Sequence, residues 1–161
     1  MYWGWLSRDA FAMPRQLPSG TVTFLFTDVA GSTRLLRELG AEAYASALAE
    51  HRRRIRQACA AFGGIEVDTQ GDAFFMAFPD AQAAASAAQT LTNSLAPGPI
   101  RVRVGLHSGT PLATNEGYVG EEVHLAARIA ASAHGGQIVL SGPTRALLDT
   151  AGTSRTLAST D

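Results

Sequence analysis

Two aspartates, Asp28 and Asp72, stand where this chain would place ligands for a hard cation. Asp28 closes a run over residues 21–28 that is β-branched and aromatic on both faces, the composition of a central strand buried on two sides. The carboxyl ends of such strands are where α/β sheets place ligands. Asp72 lies in Gln70-Gly71-Asp72, a tight turn between two shorter strand-like runs. Taken singly, each aspartate also reads as a turn or capping residue. If the hairpin pairs beside the first strand, the two carboxylates project from one end of the sheet, and paired oxygen ligands suit Mg²⁺ or Mn²⁺ bound to a triphosphate. Two such ions would activate a hydroxyl and stabilise charge on a leaving pyrophosphate. Between Asp28 and the next helical pattern, Gly31-Ser32-Thr33 can aim backbone amides at a phosphate, or serve as a plain N-cap.

The positioning elements follow from periodicity. Leu35, Leu36 and Leu39 mark a helix stopped by Gly40, and a second helix runs over about 42–62 to Gly63-Gly64. Within it, His51-Arg52-Arg53-Arg54 reads as a solvated or ion-pairing strip. Residues 65–69 and 73–78 form a β-hairpin. Asp80 caps an alanine-rich helix over about 81–95, broken by Pro97-Gly98-Pro99. Residues 100–107 alternate like a half-exposed strand, and a loop with Pro111, Asn115 and Gly117 follows. A helix over 120–133, a short strand over 137–140 and a last helix opening at Gly142-Pro143 complete the pattern. This order predicts an α/β (α+β) domain with a ferredoxin-like β-α-β-β-α-β core and a C-terminal extension. Residues 1–20 read as a flexible leader in which Met13 is an equally good start, 21–150 as the domain, and 151–161 as a flexible tail.

Composition narrows the function. The 161 residues suit one domain, and 46% hydrophobic with 17% charged residues is too apolar for disorder. A net charge of −1 gives no electrostatic basis for a nucleic-acid or membrane-surface partner. The single cysteine, Cys59, reads as a buried thiol, and with no apolar run long enough to span a bilayer a cytoplasmic location is expected. His51, His107, His124 and His134 lack zinc-ligand spacing. Ala30 occupies the position where an aspartyl-phosphate enzyme needs its second aspartate, and no Ser-His-Asp nucleophile elbow is visible.

Four stretches, 26–33 (FTDVAGST), 70–74 (QGDAF), 103–109 (RVGLHSG) and 119–128 (VGEEVHLAAR), resemble, in order and spacing, successive motifs of the class III adenylate/guanylate cyclase catalytic domain. The resemblance spans about 21–148. It implies that Asp28 and Asp72 hold two Mg²⁺ or Mn²⁺ ions, with the Val29 carbonyl as an extra ligand and Gly31, Ser32 and Thr33 near the phosphates. Arg128 matches the arginine that stabilises the pentavalent phosphate. Val123, Leu125, Ala126 and Ile129 around it suggest a largely packed helix. The family builds its sites between two subunits, so a homodimer acting on a nucleoside triphosphate is implied, with ATP favoured.

Three positions depart from the family pattern. Asp68 stands where many members have a base-reading lysine, Gly117 where a partner aspartate is common, and His124 where asparagine is usual. His124 and Arg128, at i and i+4, share a helix face and can reach one phosphate together, although His124 also reads as a satisfied histidine. The chain ends at Asp161, where members usually add another strand pair. Two readings result: an active cyclase, or a weak or inactive homology module that dimerises or binds nucleotide for regulation.

Overall fold

The computed structural model describes residues 16–150, so the leader up to residue 15 and the tail 151–161 lie outside the described residues. The chain runs β1 (Val22–Val29), α1 (Ser32–Leu39), α2 (Ala41–Ala61), β2 (Ile65–Gln70), β3 (Ala73–Phe78), α3 (Ala81–Leu95) and β4 (Val102–Gly109). It continues with β5 (Leu112–Thr114), β6 (Gly117–Val119), α4 (Glu121–Ala131), β7 (Ile138–Leu140) and α5 (Gly142–Thr150). The main sheet has the order β2-β3-β1-β4-β7, and β1 is antiparallel to both its neighbours. The first four strands have the ferredoxin-like arrangement expected from the element order, and β7 joins parallel to β4. The stretch read as a loop after β4 holds a separate β5–β6 hairpin. At three residues each, these strands are too short for alternation to separate them from a loop.

Strand alternation sends the two faces of the sheet to different partners. Leu25, Val29, Phe74, Met76, Phe78, Val104 and Leu106 face a large core shared with α2 and α3. Asp80 caps α3 as expected, accepting from the amides of Gln82 and Ala83. The opposite face carries Val22, Phe24, Phe26, Phe75 and Ala77, packed with Tyr118 and the α4 residues Val123, Ala126 and Ala130. Phe26 and Phe75 stack at 4.3 Å, and Tyr118 meets Phe24 edge-on at 5.1 Å. Such aromatic pairs each contribute about 0.5–1.5 kcal/mol beyond area burial. Leu17 packs onto this cluster, and the Tyr118 hydroxyl donates to the Pro18 carbonyl at 2.6 Å.

Helix α4 approaches this face closely because Gly105 has no side chain. A Cβ there would lie 2.3 Å from the Ala130 nitrogen, and one at Gly109 would lie 2.2 Å from the Glu122 side chain. The two glycines of the RVGLHSG stretch thus form the floor on which α4 rests.

The basic run in α2 is not one solvated strip. At about 100° per residue, consecutive side chains leave the helix in different directions. His51 is wholly buried, edge-on to Phe74, while Arg53 and Arg54 pair with Glu50 outside. Both His51 ring nitrogens are sequestered without a well-formed partner among the described residues. Burial, aided by the Arg52 charge, lowers its pKa from 6.5 to about 4.

Two outcomes follow. Gly105→Val should cost about 1–3 kcal/mol through overpacking, read as a lower midpoint in thermal unfolding, because the Cβ must push α4 off the sheet. For His51, the folded-state pKa lies below the unfolded one, so its contribution to stability is present above pH 6.5 and is lost as pH falls through about 4. Urea unfolding at stepped pH should therefore show the wild type losing up to about 3 kcal/mol more than His51→Leu across that window; equal slopes would remove His51 as the cause.

Candidate active site

Asp28 and Asp72 reach the same end of the sheet by two different routes. Asp28 is carried by β1, on the α4 face, in line with Phe24 and Phe26. Thr27 pairs with Phe74, so the β2–β3 turn, with Asp72 immediately before β3, arrives beside Asp28. Their proximity registers electrostatically: the pKa of Asp72 is raised, first by burial and then by the charge of Asp28, with partial relief from Arg103 and Arg52. Val29 ends β1 with its side chain in the core, and the Ala30 amide donates to the Arg101 carbonyl.

Two arginines that the sequence did not assign to the site organise this pair. Arg103 lies directly across from Asp28 in the β1–β4 register and grips its carboxylate with both arms of the guanidinium. Nε donates to Oδ1 at 2.6 Å and Nη2 to Oδ2 at 2.7 Å. Arg52 donates from Nη2 to the Gly71 carbonyl at 2.9 Å and so ties α2 to the turn that carries Asp72. Tyr44 of α2 is also near, since the charge of Asp72 adds to burial in raising its pKa. Arg103 stood in plain view inside a motif, but only strand register reveals its partner.

A cavity of about 370 Å³ opens over this end of the sheet, lined by Asp28, Arg103, His124, Arg128 and small α4 residues including Ala127 and Ala131. His124 and Arg128 therefore share a face, as their spacing predicts. Their helix is less packed than expected: Val123, Ala126 and Ala130 are buried, but Leu125 is 41% exposed and Arg128 faces solvent. Only one stripe of an amphipathic helix meets the sheet. At the start of α1, Gly31 takes a left-handed conformation (φ 61°), and no side chain caps Ser32, Thr33 and the rest of the first turn among the described residues. The backbone amides there keep the donor capacity that a phosphate cradle requires.

Of the three altered positions, His124 lines this cavity, and Asp68 and Gly117 fall outside it. Asp68 opposes Phe75 and hence lies on the α4 face, at a bulge in β2. Its carboxylate accepts from the Thr69 amide at 2.8 Å and from the Gln70 side chain at 3.3 Å. Gly117 opens β6 with φ 126°, a conformation that strains any residue with a side chain, and its carbonyl accepts from Thr114. Cys59 is buried, and burial pushes its thiol up to about 12. Among the described residues no helix is long and apolar enough to cross a membrane.

A protein of Mycobacterium tuberculosis, described as uncharacterized, is 39% identical over 142 residues, which are 86% of this chain and 49% of that protein. An adenylate cyclase of Podospora anserina is 34% identical over 155 residues, covering 77% of this chain and 7% of that enzyme. The chain thus spans about half or less of the length of these relatives. An adenylate cyclase structure from Trypanosoma brucei, solved in its monomeric state, superposes with a TM-score of 0.70 at 26% identity, covering 82% of this chain and 81% of that one. Residues 15–159 match the adenylate and guanylate cyclase catalytic domain, and the chain belongs to that family.

Proposed function

We propose that this domain, taken as residues 21–150, acts as a homodimer that converts ATP to 3′,5′-cyclic AMP and pyrophosphate. The observation that carries this reading is the meeting of Asp28 and Asp72 at one end of the sheet, where the β1–β3 register brings the turn with Asp72 beside Asp28. The pair fits divalent metal: two hard carboxylates, close enough that one raises the pKa of the other, need cationic compensation. No cluster of three or more ligating side chains exists among the described residues. Two carboxylates suffice for Mg²⁺ or Mn²⁺, which take one or two and complete their shell with waters and substrate phosphates. Bound there, two such ions would lower the pKa of the attacking 3′-hydroxyl and neutralise charge on the leaving pyrophosphate.

The chain's own groups supply the rest. Asp28 and Asp72 hold the metals, with the Val29 carbonyl as a further oxygen donor. The amides of Gly31, Ser32 and Thr33 receive phosphate oxygens at the start of α1. Arg128 stabilises charge on the phosphorus centre as it becomes pentavalent, and His124, one turn before it, donates a hydrogen bond to the same group. Leu112 and Val119, cross-strand partners in the β5–β6 hairpin, are 65% and 58% exposed. Together with Leu125 on α4 they offer apolar surface for a second subunit. ATP is favoured because the Podospora anserina relative and the Trypanosoma brucei structure are adenylate cyclases and because Asp68, on the α4 face of the sheet, can accept from an amino edge. The lone buried Cys59 suits the reducing cytoplasm.

A second reading, a regulatory module that dimerises or binds nucleotide with little turnover, draws on Asp68 and Gly117. The first has its carboxylate engaged locally, and the second has a backbone that disfavours the usual aspartate.

Purified protein with Mn²⁺ and each of the four common triphosphates decides between them. The expected result is cyclic AMP from ATP, lowered by at least about a hundredfold in Asp28→Asn, Asp72→Asn and Arg128→Ala. Cyclic product that is absent, or insensitive to Asp28→Asn, would leave only the regulatory module. Mixing inactive Asp28→Asn with inactive Arg128→Ala should restore about a quarter of wild-type activity, because half the dimers are mixed and each has one intact site. No recovery would mean that Asp28 and Arg128 of one chain work together.

A further inference from the structure

Among the described residues, Arg103 is the strong cation already seated on a candidate metal ligand. Its Nε and Nη2 occupy both oxygens of Asp28 at 2.6 and 2.7 Å, a fork-on-carboxylate geometry that uses the same directions a hard cation would approach from. The two side chains keep 33% and 25% of their surface exposed, so the pair is shielded enough to matter but open to exchange. A second seat lies beside it. Nη1 of Arg103 is 3.5 Å from the Ala131 carbonyl, in the last turn of α4, where carbonyl ends concentrate negative potential. Gly105, two residues along β4, lets Ala130 rest on the strand and so keeps that helix end within reach of the guanidinium.

We infer that Arg103 is an internal counter-cation that holds Asp28 until a divalent ion arrives, so that metal binding is an exchange in which the guanidinium leaves the carboxylate for the C-terminal end of α4. The inference rests on Asp28 being a metal ligand, as proposed above, and adds a positioning residue with a defined direction of effect. Without Arg103, Asp28 would face Asp72 with no neutralising partner across the strand, an arrangement that disfavours the empty site. With it, the empty site is quiet, and occupancy shifts a charge onto the helix that carries His124 and Arg128. The metal end of one site and the helix this chain lends to the other site of the dimer are thereby linked through one side chain.

Titration of the protein with Mn²⁺ alone, following the free-ion signal by electron paramagnetic resonance, tests this without reference to turnover. Arg103→Gln should bind Mn²⁺ about tenfold more tightly than wild type, because the competing charge-assisted contacts are gone. Arg103→Lys, which keeps the charge but not the fork, should fall between the two, and it carries the comparison should Arg103→Gln fail to fold by circular dichroism. Adding Asp28→Asn to the tighter variant should abolish the gain. A merely structural role predicts the opposite sign, so an affinity equal to or weaker than wild type in both variants overturns the exchange. If wild type then still makes cyclic nucleotide in a metal-dependent way, the cyclase reading stands and only the exchange is lost. If neither wild type nor the variants take up Mn²⁺, the metal reading of Asp28 falls with it.

Discussion

The central strand β1 is held between two antiparallel neighbours, and the register on each side decides what meets at its end. Pairing with β3 draws the β2–β3 turn alongside Asp28, and pairing with β4 sets Arg103 directly across from it. A slip of one residue on either side would turn these side chains to the opposite face. That face is filled by Phe74, Met76 and Val104 in the main core, where a carboxylate or guanidinium would be stranded. Apolar burial on the α2–α3 side therefore fixes the polar geometry on the other.

The same register explains why α4 lies where it does. On the α4 face β4 offers glycine at positions 105 and 109, and the helix settles into the space they leave, with Ala126 and Ala130 against the sheet. Small residues on both surfaces shorten the distance between helix and strand. The cavity is what remains at one end, where Arg103 and Asp28 replace glycine and phenylalanine on the strands and α4 comes to its end. Packing and site are thus parts of one surface, apolar in the middle and charged at the rim.

Charge is distributed around the aspartates with similar economy. Arg103 contacts Asp28 itself, whereas Arg52 acts on Asp72 through the backbone of its turn. His51, the neighbour of Arg52, is buried against Phe74 on the far side of that strand. Helix α2 thereby braces the hairpin from behind while β4 secures the carboxylate in front.

Much of this was legible in the residues alone. The buried first strand, the hairpin, the Asp80 cap and the element order are local or periodic signals, and the sequence spacing brought His124 and Arg128 onto one face. The motif stretches pointed to the right family, because side chains that must meet around one site are constrained in type and order along the chain. What composition and period could not supply were pairings between distant segments. The bond from Arg103 to Asp28 spans 75 positions, the role of Gly105 depends on a helix that follows it, and the burial of His51 beside unburied arginines depends on the direction it leaves α2. Periodicity reports which face of an element is apolar; it does not report what lies across from that face. That information appears only when the strands take their register, and at this site it decides which cation sits on Asp28.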